Sequence, residues 1–299
     1  VRVAADTFVE DVTINTSGLS LLGSGVASTT ISGAIGGGSA TVQIGASNVT
    51  VAGFTITRQG NNTTDWNNPG LNTAGIAIQG LANTNALIRD NLITGNRTGV
   101  DINNSGSHTI RNNVIDNNRT GLLLRNQTDN LLVTQNEITN NWTLGVLFLD
   151  ASGGTNSPVQ QASGSVFTNN NISANWYGQV EDRQVGGSLP TPGTTNLKNF
   201  SGNWFGTATP TVTATAGAEP GYAMQIPVAF GGTAVAPGGQ PDLLGLASAN
   251  IDYSPLLVSG TDTNVETNVG WGTYGFQGNF NLLQVTTAGA QVGSLSRIQ

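Results

Sequence analysis

The sequence predicts an all-β chain wound as a parallel β-solenoid. A unit of 22 to 23 residues is repeated three times between Asn91 and Gly145, and self-similarity at such a period dictates architecture. Forty-one glycines among many Asn, Thr and Ser, with only 9% charged residues, describe short strands and tight turns. Apolar residues recur at fixed places in each unit, and no helical heptad pattern is visible.

The unit reads Asn91-Leu-Ile93-Thr-Gly-Asn96-Arg97-Thr-Gly99, then Asn113-Val-Ile115-Asp-Asn-Asn118-Arg119-Thr-Gly121, then Asn136-Glu-Ile138-Thr-Asn-Asn141-Trp142-Thr-Leu-Gly145. Two worn copies follow, Asn170-Asn-Ile172-Ser-Ala-Asn175-Trp176-Tyr-Gly178 and Lys198-Asn-Phe200-Ser-Gly-Asn203-Trp204-Phe-Gly206. Three strands and three turns fit this period at about 3.3 Å per residue, and coils stacked about 4.8 Å apart pair each strand with its equivalents above and below. Ile93, Ile115, Ile138, Ile172 and Phe200 are expected as one inward column, and Val100/Ile102, Leu122/Leu124 and Val146/Phe148 as another. Asn96, Asn118, Asn141, Asn175 and Asn203 are expected at one turn position, where Asn tolerates left-handed backbone and its amide bonds to the next coil.

From Val1 to Ser47 alternating residues punctuated by glycine predict five strands at roughly ten-residue spacing. Val51, Phe54 and Ile56 then lead into the ladder, and Gly75-Ile76-Ala-Ile78 stands one coil before Gly99-Val100-Asp101-Ile102. The polar stretch 59–74 interrupts the rhythm, and insertions at 150–163 and 183–196 follow Gly-started strands, so these two are expected over the same edge. Residues 208–250, rich in Pro, Gly and Ala, form an excursion within a β-helix of residues 1–257. An irregular β-rich C-terminal extension occupies 258–299.

Composition excludes several classes. With 17 Asp plus Glu against 10 Lys plus Arg, a cationic nucleic-acid groove is not expected. There are no cysteines for disulfides or thiolate metal sites, and no run of about 18 apolar residues to span a bilayer.

The coils resemble the right-handed parallel β-helix repeats of the pectin-lyase-like superfamily, and the opening Val1-Arg-Val-Ala-Ala-Asp-Thr-Phe-Val-Glu-Asp-Val-Thr-Ile14 is similar to the strand pair that begins such domains. Gly202-Asn-Trp-Phe-Gly206 and Ile251-Asp-Tyr-Ser-Pro-Leu-Leu257 resemble the endings of β-helix modules in large bacterial surface and secreted proteins. Gly293-Ser-Leu-Ser-Arg297-Ile-Gln299 is similar to the segment that normally precedes the opening strand. The resemblance implies one unit of a tandem or end-to-end array, with copies of itself or adjacent modules as partners. The enzymatic strings of the superfamily are not present: neither the Asp-Asp and Gly-His-Gly of polygalacturonase-like sites, nor the Asp cluster of pectate-lyase-like sites, nor the Asp-Pro-His-Asp of epimerase-like sites.

Two sets of side chains are candidates for function. The residue after each ladder Asn gives Arg97, Arg119, Trp142, Trp176 and Trp204, a stack of guanidinium and indole planes. Its plain reading is a turn-capping ladder, with Arg119 over Trp142; exposed, the same planes would stack on sugar faces. Asp150 and Glu181 close the same strand in successive coils, with Asp182 beside them, in the manner of the paired carboxylates of glycoside hydrolysis. Solvated or ion-paired carboxylates are the ordinary alternative. Asp101, with Leu123 and Leu147 in its column, is expected to lack a partner, and His108 to fill the turn slot that holds Asn130 elsewhere. No metal site is expected, although Asp262-Thr-Asn-Val-Glu266, and Asp65 with Asn61, Asn62, Asn67 and Asn68, offer oxygen donors suited to calcium.

The sequence therefore points to a non-enzymatic extracellular module, structural or adhesive, of a bacterial surface protein or fibre. Polysaccharide is an expected contact. A polysaccharide lyase or glycoside hydrolase, working in a cleft flanked by loops 59–74, 150–163 and 183–196, is the alternative, beside a glycan-binding tail-spike-like fibre.

Overall fold

The computed structural model describes residues 1–35, 40–59, 74–184, 188–190, 196–213, 242–245, 251–263 and 275–285. Three long parallel sheets contain most of its strands, and each sheet takes every third strand of the coiled region. The first sheet runs β1 (Asp6–Phe8), β4 (Thr29–Gly33), β7 (Thr55–Arg58), β10 (Leu92–Thr94), β13 (Val114–Asp116), β16 (Glu137–Thr139) and β19 (Asn171–Ser173). The second runs β2 (Val12–Ile14), β5 (Val42–Ile44), β8 (Ala74–Gln79), β11 (Thr98–Asn103), β14 (Thr120–Arg125), β17 (Leu144–Leu149) and β20 (Gly178–Asp182), then β23 (Leu243–Leu244) and β22 (Val212–Thr213). The third runs β3 (Ser20–Leu22), β6 (Thr50–Ala52), β9 (Leu87–Arg89), β12 (Thr109–Arg111), β15 (Leu132–Thr134), β18 (Val166–Thr168), β21 (Lys198–Asn199) and β24 (Ile251–Asp252). One strand from each sheet completes a coil, so the chain is an all-β parallel β-helix. The excursion after residue 208 contributes two strands, β22 and β23, to the second sheet.

Side chains alternate in and out along each strand, and the inward ones stack in columns. In the first sheet Ile31, Ile56, Ile93, Ile115, Ile138 and Ile172 are in register, all buried. In the second, Val100/Ile102 lie on Leu122/Leu124 and these on Val146/Phe148. Leu21, Val51, Ile88, Ile110, Val133 and Phe167 form the column of the third. One coil cannot bury its own apolar face; stacking buries it against its neighbours.

From Asn91 onward, two corners of the coils carry an asparagine ladder. At the corner from the first to the second sheet, Asn96 Nδ2 donates to Asn118 Oδ1 at 3.1 Å, Asn118 to Asn141 at 3.3 Å and Asn141 to Asn175 at 2.8 Å. At the corner from the third to the first, Asn91, Asn113, Asn136, Asn170 and Asn203 are linked in the same way at 2.9 to 3.1 Å. Left-handed backbone does not fall on the ladder residues, contrary to the sequence expectation. It falls one residue earlier, at Gly95, Asn117, Asn140 and Ala174 at one corner and Asp90, Asn112, Gln135, Asn169 and Gly202 at the other. The residue before turns the chain, which leaves the ladder Asn in ordinary backbone with its amide aimed along the stack. Just beyond the first corner the coils approach closely: a Cβ on Gly121 would sit 2.5 Å from the Gly145 carbonyl oxygen, which accounts for the glycine in every repeat.

The last worn copy is out of phase with the others. Asn199 pairs with Val166 of the third sheet, and the Phe200 ring stacks on Phe167 at 4.3 Å and 3°. Phe200 therefore leaves the Ile172 column where the sequence placed it, and Asn203 belongs to the Asn170 ladder rather than the Asn175 ladder, which ends on Gln179. Because both corners bear an Asn a few residues from an apolar inward residue, the string fits either corner.

The C-terminal extension folds back along the flank. β25 (Leu256–Leu257) pairs antiparallel with β26 (Leu283–Gln284). Between them the Phe276 N–H donates to the Gln135 carbonyl, Gln135 Nε2 to Gln277 Oε1, and the Gly278 N–H to Asn169 Oδ1. These contacts fasten it across two neighbouring coils. Among the described residues no helix is long and apolar enough to cross a membrane.

Candidate functional site

The outer face of the second sheet and the corner leading into it bring together most of the candidate side chains. Backbone hydrogen bonds hold the corner in register: Arg119 N–H to Asn96 O, Trp142 N–H to Asn118 O, and Trp176 N–H to Asn141 O. Arg97, Arg119, Trp142 and Trp176 thus rise through four successive coils, as the repeat predicts. They are not one open strip, because Arg119 is 6% exposed and Trp142 fully buried. Arg97 and Trp176 are half-buried, and Trp176 joins Leu123 and Leu149 against Leu144, Leu147, Tyr177 and Leu244.

Trp204 is not a member of this column. The phase slip pairs it with Asn171 of the first sheet, and it lies beneath Gly260 of the extension, where a Cβ would come 2.4 Å from the indole nitrogen.

Beside the corner, Arg97 and Arg119 meet Arg183, which arrives from beyond β20 with its N–H on the Phe148 carbonyl at 2.9 Å. With Leu123, Leu147 and Leu149 they line a cavity of about 120 Å³. The acidic groups nearby are engaged. Glu181, fully buried, pairs with Arg183 at 2.6 Å. Asp101 is held by Arg125, whose Nε donates to Oδ1 at 3.0 Å as one prong of a two-pronged ion pair. Leu123 and Leu147 stand in the Asp101 column, as expected, so no second carboxylate shares it; Arg125 reaches Asp101 diagonally from two residues further along the same face. Burial raises the Asp101 carboxyl above its ordinary value, opposed by Arg125 and Arg97.

The carboxylates proposed for hydrolysis do not gather at one place. Asp150 closes its own turn, Oδ1 accepting from Ser152 N–H at 2.8 Å and Oδ2 from Gly154 N–H at 2.7 Å. Asp182 stands in register with Phe148, inside the solenoid, where Lys198 Nζ meets it at 2.7 Å and both are fully buried. Burial lowers the Lys198 ammonium, opposed by Asp182. The described C-terminal ends of the insertions at 150–163 and 183–196 adjoin: Asn196 Oδ1 accepts from Ala162 N–H at 3.1 Å.

A second carboxylate group lies on the outer face of the first sheet. Asp116 of β13 and Glu137 of β16 are diagonal neighbours, and burial raises both; Asp116 and Asp262 raise Glu137 further. Sequence reasoning missed the group because Asp262 enters from the extension, where its Oδ1 accepts the Gln277 N–H.

Metal donors are few. The chain has no Cys, one Met and one His. His108 is not in the turn slot, which Ser107 fills with φ 60°; it stands in register with buried Leu131. Its Nδ1 accepts the Ala86 N–H at 3.0 Å and its Nε2 lies 2.8 Å from Ser105 Oγ. The bond from Ala86 assigns the proton to Nε2, and burial lowers the imidazole to about 4. Both ring nitrogens are therefore occupied. Among the described residues no three His, Cys, Asp or Glu converge on a point. Asp65, Asn61, Asn62, Asn67, Asn68 and Glu266, named above for calcium, lie outside the described residues.

No curated protein matches the chain. Among solved structures it is similar to the catalytic domain of a GH87 alpha-1,3-glucanase in complex with tetrasaccharides, at 15% identity and a TM-score of 0.43, with 92% of this chain and 44% of that one covered. The chain thus spans less than half the length of that protein. A family model described as periplasmic copper-binding protein matches residues 10–175, more than half of the chain, with the Asn96–Asn175 ladder and the Arg97–Arg119 corner inside the match; the chain belongs to the NosD family.

Proposed function

We propose that the chain is a non-enzymatic β-helix module that works outside the cytoplasm, as a rigid structural and adhesive element whose second-sheet flank contacts polysaccharide. The observation that carries this reading is the state of the flank's carboxylates. Asp101 and Glu181 are each paired with an arginine, Asp150 is spent on its own turn, and Asp182 faces the interior. General acid and base work needs carboxyl groups open to the substrate on both sides of the bond to be cut. The corner presents the half-buried side chains of Arg97, Leu123, Leu149 and Trp176, a surface suited to contact rather than chemistry. A location in the envelope or at the cell surface accords with the periplasmic description of the family. The outer edges of β1 and β2, each the last described strand of its sheet, suit end-to-end contact with a copy or an adjacent module.

Copper in the family's description finds no fitting donor set here. Copper favours thiolate, thioether and imidazole ligands, and the sole histidine is buried with both nitrogens engaged. No role for copper is derived.

The polysaccharide-active alternative is favoured by one observation, the Asp116/Glu137 pair with carboxyls raised by burial. Incubation with acidic and neutral polysaccharides, followed by reducing-end and unsaturated-product assays, decides between the two. The module reading expects retention on polysaccharide without product. Turnover that disappears in Asp116→Asn or Glu137→Gln would overturn it.

A further inference from the structure

We propose that Lys198 and Asp182 condense into an intramolecular amide, Nζ bonded to Cγ with the loss of one water, which ties β20 to β21 inside the solenoid. The two side chains come from consecutive strands of one coil. Asp182 closes β20 in the column of Phe148, and Lys198 opens β21, paired with Ile251 and two residues before the inward Phe200. The pleat therefore turns both to the interior. They meet across the corner between the second and third sheets with Nζ 2.7 Å from Oδ2, and neither side chain is exposed.

The surroundings favour the bond over the ion pair. Nζ lies 5.0 Å from the centre of the Phe148 ring, which packs edge-on against Phe167 at 5.6 Å and Phe200 at 6.0 Å, all three fully buried. A dry aromatic pocket disfavours ammonium and carboxylate alike, and one proton passed from Nζ to Oδ2 leaves an amine beside a carboxylic acid. Burial lowers the Lys198 ammonium in the same sense, opposed by Asp182. A desolvated lysine amine is a nucleophile, and the fixed contact supplies the proximity that free groups in solution lack. Nζ attacks Cγ, and negative charge collects on Oδ1, where the Gln184 N–H donates at 2.8 Å. A second amine proton passes to Oδ2, the Cγ–Oδ2 bond breaks and water leaves. Oδ1 remains as the carbonyl oxygen of the new amide, so one ammonium and one carboxylate have become one amide and one water.

The residue type agrees with this chemistry. Lys198 is the only lysine in a chain with nine arginines, and the fold buries an arginine elsewhere, Arg58 beside Asp11 at 3.3 Å. A guanidinium stays protonated and serves as a counter-charge, whereas a bond requires an amine that gives up its proton. The amide closes residues 182–198 into a ring, which restricts the unfolded chain as a disulfide would in a chain that has no cysteine.

The test is the intact mass of the full purified chain, followed by tryptic digestion of the unfolded protein. The expected wild type is lighter than its sequence by one water, and trypsin leaves Lys198 uncut, so that residues 126–183 and 184–297 emerge as one branched peptide. Lys198→Arg keeps the charge and lacks the amine; its mass should equal that of its sequence, with cleavage after position 198 and no branched peptide. A wild type of full sequence mass with Lys198 cleaved would overturn the proposal, and that reading depends on no variant folding. Loss of water with Lys198 still cleaved overturns it as well, since the dehydration then lies at a succinimide or another site. The same holds if Lys198→Arg is also lighter by one water.

Discussion

Asn118 and Asn141 are joined amide to amide in the dry corner of adjacent coils, Nδ2 to Oδ1 at 3.3 Å, while Asn118 Nδ2 also donates to the Ile93 carbonyl at 2.9 Å. Its Oδ1 in turn accepts both the backbone N–H and the side-chain amide of Asn96. A single carboxamide thereby satisfies groups in three coils, all away from water. Asn118→Ala leaves several of them buried and unpaired, at about 1–3 kcal/mol each when no water replaces the partner. The expected loss is about 3 kcal/mol in the unfolding free energy measured with guanidinium. A loss below 1 kcal/mol would show that water enters the corner.

The division of labour at the corner makes a stabilising prediction. Ala174 holds φ 56° at a solvent-exposed turn where the equivalent positions carry Gly95, Asn117 and Asn140. A left-handed alanine costs roughly 1–2 kcal/mol that glycine does not incur. Ala174→Gly should therefore raise stability by about 1 kcal/mol, read as a higher melting temperature.

Such positions explain how much of the molecule was legible in the sequence. The period, the inward columns and the stacking of Arg97, Arg119, Trp142 and Trp176 followed from spacing alone, since a solenoid converts sequence distance into vertical neighbours. Diagonal neighbours did not follow: Arg125 reaches Asp101, and Asp116 faces Glu137, two residues off the straight column. Nor did the phase of Lys198–Trp204, because both corners have the same signature and the string here falls on the third-sheet strand that regularly follows β20. The place of Arg183 beside Arg97 did not follow either, since it depends on the turn after β20, which has no repeating counterpart.

Acid should weaken the fold through His108. Its folded value lies near 4, below the ordinary 6.5, because the ring is buried with Nδ1 accepting a backbone N–H. The unfolded chain therefore takes up a proton that the folded chain refuses. The contribution is intact above about pH 6.5 and is lost as pH falls toward 4, reaching about 3 kcal/mol in full. Glu137 and Asp116, raised by burial, act in the opposite sense and favour the fold as pH falls. Urea unfolding at pH 7 and pH 4.5 should show a smaller acid loss in His108→Asn than in wild type, and Glu137→Gln should gain stability at pH 7.

Copper provides a direct contrast with the family's description. With no cysteine, one methionine and an engaged histidine, titration of the purified chain with Cu(I) or Cu(II) should give no stoichiometric complex in calorimetry or absorption. A 1:1 complex of submicromolar affinity would contradict this, and its loss in His108→Asn would locate it.

The most direct measurement is affinity electrophoresis of the purified chain in gels containing acidic or neutral polysaccharide, followed by chromatography of the polymer after incubation with the protein. The account predicts retardation by polysaccharide and polymer recovered whole. Free migration in every gel, or shortened chains in the eluate, would contradict it.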